Sequence, residues 1–221
     1  MSRPTRRHVL LGSAAAVMLS GCRSKSAPPK TSPSPTPSPT PSASAPDVQA
    51  AVLGAAMENL LVALYDTAIS AATDGKLGVV PAAAVGYLTT TRAHHADHAQ
   101  AWAALLDQNH APAVDGTPLV NADALIASVG RVKSFAELGP VAAEAERVAT
   151  ATYLTSITAV ALESVVTTGV SIAPVEAAHA SAIALLTGQA PLTRPPAGQL
   201  FDLRGALTVA DLVAAPPSTV P

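Results

Sequence analysis

Residues 110–133 read HAPAVDGTPLVNADALIASVGRVK. Pro112, Gly116, Pro118 and Gly130 punctuate the stretch, leaving room for one short helical piece around Asp123 to Val129. A connection this long does not join two neighbouring helices by a hairpin turn. It reads as a crossover, and the segments on either side read as two separate helical pairs.

Upstream, Asp47 fits an N-cap for a run in which Val52, Leu53, Met57, Leu60, Leu61, Leu64 and Ile69 recur at helical spacing until Asp74-Gly75. Pro81 then suits the first turn of a second helix carrying Val85, Leu88, Trp102, Leu105 and Leu106 and fading near Asn109. Downstream, Ser134-Phe135-Ala136-Glu137 has the capping-box pattern and opens a third helix that continues past Pro140 through Glu146 and Tyr153. A turn near Thr158 to Ala161 leads into a fourth helix from about Leu162 to Leu186, with a kink expected at Pro174 and a stop at Gly188. Abundant alanine and only 3% aromatic residues agree with close-packed helices. The fold class is all-α: a four-helix bundle of two hairpins joined by one long crossover.

The rest of the chain flanks this unit. Residues 1–21 read as an export signal: a basic start with Arg6-Arg7, an apolar stretch from Val9 to Leu19, then Leu19-Ser20-Gly21-Cys22. Crossing a bilayer takes about 20 apolar residues, about twice the length of this run. Arg6-Arg7 resembles a twin-arginine signal, which implies bacterial export of a folded protein. Leu-Ser-Gly-Cys resembles a lipobox, which implies lipid on Cys22, the single cysteine, and a place on the outer face of the cytoplasmic membrane. Residues 22–46 are Ser, Thr and Pro with almost nothing apolar and read as a disordered tether, reaching up to roughly 70 Å at about 3.1 Å per residue. The bundle is expected over 47–188, and residues 189–221 form a Pro-rich tail.

The chain has 13 Lys and Arg against 15 Asp and Glu, and loss of Arg3, Arg6 and Arg7 with the signal leaves a formal net charge of −5. That sign disfavours nucleic-acid binding, for which a basic footprint is expected. No phosphate-binding glycine loop or nucleophile elbow is present. Membrane contact through Cys22 is the expected partnership; a second copy or another envelope protein stays open.

Three of the five histidines outside the signal fall in His94-His95-Ala96-Asp97-His98, and a fourth ends Val175-Glu176-Ala177-Ala178-His179. Residues three apart share a helix face, so Glu176 and His179 address one point. Glu58 precedes Tyr65 by two turns and Glu146 precedes Tyr153 by two turns, so each Glu shares a face with its Tyr. The order Glu58, His95-x-x-His98, Glu146, Glu176-x-x-His179 is a loose duplication across the two hairpins.

On these residues the chain resembles the ferritin-like domain proteins, in particular secreted bacterial members, across about Gln49 to Gly188. The resemblance implies a dinuclear metal site with Glu58, His98, Glu146, Glu176 and His179 as ligands. At His95 the family pattern would place a bridging carboxylate. An imidazole there lowers the negative charge available to two oxidised irons and makes Fe one choice among Mn, Zn and Cu. His94 and His98, four apart, are the alternative pair on this helix, which leaves His95 or His94 as the further ligand. Oxidase or peroxide-related chemistry is what the resemblance implies; a metal-free structural or interaction module is the alternative. Tyr65 and Tyr153 are expected at the core edge with wetted hydroxyls, and Trp102 in the core.

Overall fold

The computed structural model describes residues 42–191 and 195–213. The expected signal, Cys22 and most of the expected tether lie outside those residues. The order of elements is α1 (Ala45–Thr73), α2 (Ala82–Gln108), α3 (Ala122–Arg131), α4 (Phe135–Ser156), α5 (Glu163–Leu186) and a single 3-10 turn at Val209–Asp211. Among the described residues there is no strand. α1 pairs with α2 and α4 with α5, the two pairs close on one another, and α3 lies in the crossover against α1 and α4.

Local chemistry sets the helix ends. Ser44, not Asp47, is the N-cap of α1: the Asp47 carboxylate accepts from the Ser44 backbone N–H at 2.8 Å and completes a capping box, with Pro46 in the first turn. The ordered helix therefore begins inside the stretch that composition assigns to the tether. The other oxygen of Asp47 accepts from the backbone N–H groups of Ala161 and Leu162 at 2.8 and 2.9 Å. One carboxylate thus completes the capping box of α1 and ties the helix to the α4–α5 turn. α5 ends as its glycine requires: Gly188 has φ +76°, its N–H bonds the Leu185 carbonyl, and Gln189 N–H bonds Ala184 at 2.7 Å.

α4 is capped by Ser134, whose hydroxyl accepts from Glu137 N–H. α5 runs through Pro174 without a break. The carbonyl that Pro174 cannot serve belongs to Val170, which is exposed, so water can replace the missing donor. The C-terminal segment crosses back over the bundle. Leu207 N–H bonds the Thr152 hydroxyl at 2.8 Å, and Leu212 pairs with Leu119 of the crossover.

α1 is apolar nearly all round because it is enclosed on several sides. The core forms two apolar clusters. One holds Leu53, Met57, Leu61, Trp102, Ala149, Tyr153, Ile172 and Ala173; the other holds Leu64, Tyr65, Ala68, Leu88, Leu138, Ala142 and Ile183. On each of the four long helices the chain passes from one cluster to the other: between Leu61 and Leu64 on α1, one turn past Glu58, and across His95 to His98 on α2, Glu146 on α4 and Glu176 to His179 on α5.

Candidate metal centre

The layer between the two apolar clusters is polar and closed. Glu58, His95, Glu146 and Glu176 are fully buried and His179 nearly so, and His98 is 16% exposed. All six side chains singled out as ligands in the sequence come together here, one Glu each from α1 and α4, two His from α2, and Glu176 and His179 from α5.

They form two overlapping groups, each with its ligand atoms within 4.8 Å of one another: Glu58, His95, His98 and Glu176, and His95, Glu146, Glu176 and His179. In the first, His98 Nδ1 lies 2.8 Å from Glu176 Oε1 and 3.7 Å from Glu58 Oε2. In the second, His179 Nδ1 lies 3.0 Å from Glu176 Oε2 and 3.7 Å from Glu146 Oε2. His95 stands between them, Nδ1 at 2.9 Å from Glu58 Oε2 and Nε2 at 3.1 Å from Glu146 Oε1. An acceptor at each nitrogen calls for a proton on both, and therefore for the imidazolium.

The electrostatics follow. Burial opposes charge on His95, but the Glu146 and Glu58 carboxylates outweigh it and lift the ring to about 10. Burial likewise opposes charge on His98, and Glu176 and Glu58 raise it to about 9. Glu146, against the penalty of its burial, is held at about 2 by His95 and His179.

Two tyrosines fix the outer carboxylates, and they do so across the bundle. Tyr65 of α1 donates to Glu146 Oε1 on α4 at 2.5 Å, and Tyr153 of α4 donates to Glu58 Oε1 on α1. Each tyrosine shares a face with the Glu of its own helix but hydrogen-bonds the Glu of the other hairpin. Both rings are buried rather than at a wet core edge, and burial followed by the facing carboxylate pushes both hydroxyls well above their usual range. Trp102 Nε1 donates to Tyr153 at 3.0 Å, so a chain of donors runs from the core to Glu58.

The two neighbouring histidines of α2 divide cleanly. His95 points in, and His94 is exposed, with its Nδ1 3.0 Å from His179 Nε2. If His179 turns Nδ1 to an ion, its Nε2–H is left to donate to His94, the outer partner that metal-bound imidazoles ordinarily have. Sequence reasoning missed this outer role. Tyr87, also not singled out, donates to the His179 carbonyl at 2.7 Å; its place two turns before His94 on α2 was the available signal.

The donor set fits a metal by a second criterion. His98 Nδ1, Glu146 Oε2 and Glu176 Oε1 are buried and make no aligned hydrogen bond, although His98 Nδ1 and Glu176 Oε1 lie only 2.8 Å apart; buried groups left unsatisfied in this way are rare and call for an explanation. One ion in each group would satisfy all three. Comparison with known proteins bears on the same residues. No curated protein and no solved structure matches the chain. A family model described as a ferritin-like domain matches residues 46–189, which takes in every residue of this layer. The chain belongs to the ferritin-like domain family.

Proposed function

We propose that this chain is an exported envelope lipoprotein whose ferritin-like bundle binds one or two transition-metal ions between its four long helices. The observation that carries the metal reading is the set of three buried ligand atoms that make no aligned hydrogen bond, His98 Nδ1, Glu146 Oε2 and Glu176 Oε1, shared between two His/Glu groups. Glu58 and His98 would hold one ion and Glu146 and His179 the other, with Glu176 offering one oxygen to each. Tyr65 and Tyr153 hold the outer carboxylates in place, the apolar clusters above and below keep water out, and His94 steadies His179. Bound iron or copper would supply redox chemistry of the oxidase or peroxide type; zinc or manganese is compatible with the same donors.

Metal analysis of the purified chain tests this. The wild type should carry stoichiometric metal and the double variant Glu176→Ala, His179→Ala should not. Substoichiometric metal in both, with no change in melting temperature on adding Fe, Mn, Zn or Cu, would sink the reading.

A metal-free interaction module is the second reading, and one observation favours it: His95 already pairs with Glu58 and Glu146, so part of the cluster neutralises itself. The same metal analysis separates the two.

Export and anchoring are supported by Arg6-Arg7, the apolar stretch to Leu19 and Leu-Ser-Gly-Cys22. Mass spectrometry of the membrane fraction should find a diacylglyceryl group on Cys22 as the first residue, and Arg6→Lys with Arg7→Lys should retain the folded chain in the cytoplasm. An unlipidated Cys22 in the exported protein overturns the anchor.

A further inference from the structure

The two ligand groups share two residues, Glu176 and His95, and they share them differently. Glu176 faces the His98 side with Oε1 and the His179 side with Oε2, which is a carboxylate spanning two positions. His95 faces Glu58 Oε2 with Nδ1 at 2.9 Å, with Glu176 Oε2 further from that nitrogen at 3.6 Å, and faces Glu146 Oε1 with Nε2 at 3.1 Å. The lone pairs of an imidazole lie in the ring plane and diverge, so the two nitrogens cannot serve one ion. Each serves the side it faces.

The ring is fully buried and held from three sides. It stacks on Tyr65, with centroids 5.3 Å apart, and meets His98 and His179 edge-on at 6.2 and 5.2 Å. These contacts place the ring between the two groups.

We propose, resting on the metal reading above, that His95 is a bridging imidazolate joining two divalent ions. Nδ1 bonds the ion held by Glu58 and His98, and Nε2 bonds the ion held by Glu146 and His179. Two metal–nitrogen bonds form, both ring N–H protons leave to solvent, and nothing is oxidised or reduced. Three carboxylates and an imidazolate supply four negative charges, which neutralise two divalent ions without excess. Imidazole donors suit copper and zinc, so the centre accepts a like or unlike pair of these. The ring also spaces the ions further apart than the roughly 3.5–4 Å of closely bridged two-metal sites.

The test uses the full chain titrated with Cu(II). With two equivalents bound, the double-integrated electron paramagnetic resonance signal should fall below half of that for two isolated cupric ions, because the spins couple through the ring. X-ray absorption of the same sample should show imidazole scattering and no metal–metal vector near 3.5–4 Å. In His95→Gln, which keeps a polar side chain between Glu58 and Glu146, the chain should bind one copper or give the full signal for two. The bridge is overturned by a full signal from two coppers in the wild type, by a short metal–metal vector, or by coupling that persists in His95→Gln. Binding of one copper by the wild type overturns the bridge and leaves metal binding standing; no uptake of any metal overturns both. Should His95→Gln fail to fold, the wild-type X-ray absorption decides.

Discussion

At Gly54 the α1 backbone lies against the Trp102 ring: an added Cβ would come within 2.6 Å of it. Gly54→Ala, ordinarily favourable in a helix, should therefore cost about 1–3 kcal/mol through overpacking. Gly86, exposed on α2 with nothing within 4 Å of an added Cβ, is the control. There Ala should gain about 0.5–1 kcal/mol, and urea denaturation of the pair should show opposite signs. His94 offers a second comparison at this scale. If it orients His179, His94→Ala should weaken metal binding about 10–100-fold in calorimetric titration, while the neighbouring exposed Asp97→Ala leaves it unchanged.

Among elements, the junction of α1 with the α4–α5 turn rests on Asp47. Burial works against its charge, but the backbone N–H groups of Leu162 and Ala161, with Ser44, outweigh that and hold the carboxyl below its usual value. A lowered folded pKa means that the ionised form stabilises the fold above the unfolded pKa of about 3.9, and that this contribution is lost as pH falls through the lower, folded value. Asp47→Ala removes it at neutral pH and leaves buried donors unpaired, at a cost of about 1–3 kcal/mol. The difference between wild type and Asp47→Ala in chemical denaturation should therefore be full at about pH 6 and shrink on acidification below about pH 4. An unchanged difference at low pH would show that the clamp does not depend on the charge. The N-cap itself was misassigned from sequence because Ser44 and Asp47 both have capping chemistry, three residues apart, and only the backbone turn decides which one stands outside the helix.

For the whole molecule, an ion bound in the polar layer between the two apolar clusters would share one equilibrium with folding. A ligand that binds the folded chain alone stabilises it by mass action, about 2.7 kcal/mol at a hundredfold excess over its dissociation constant. In a domain of this size that is a rise in melting temperature of roughly 5–10 °C. Calorimetry with and without metal should find it in the wild type and not in Glu176→Ala with His179→Ala. The same rise in the double variant would place binding elsewhere.

The sequence by itself determined the helices and their order, since apolar spacing, Ser134, Gly75 and Gly188 are local signals, and a crossover as long as 110–133 admits only two separate hairpins. It also determined the composition of the polar layer, because Glu58, Glu146, Glu176, His179 and the His94–His98 run fall at corresponding places in those hairpins. Only the tertiary structure decided which of His94 and His95 faces the polar layer. Consecutive residues on a helix point about 100° apart, and the apolar residues of α2 are too sparse around His94 to fix its rotation against α1 and α5. Only the tertiary structure, too, sent Tyr65 to Glu146 and Tyr153 to Glu58. Spacing along one helix says which side chains share a face, and the helix lying opposite that face determines what they touch.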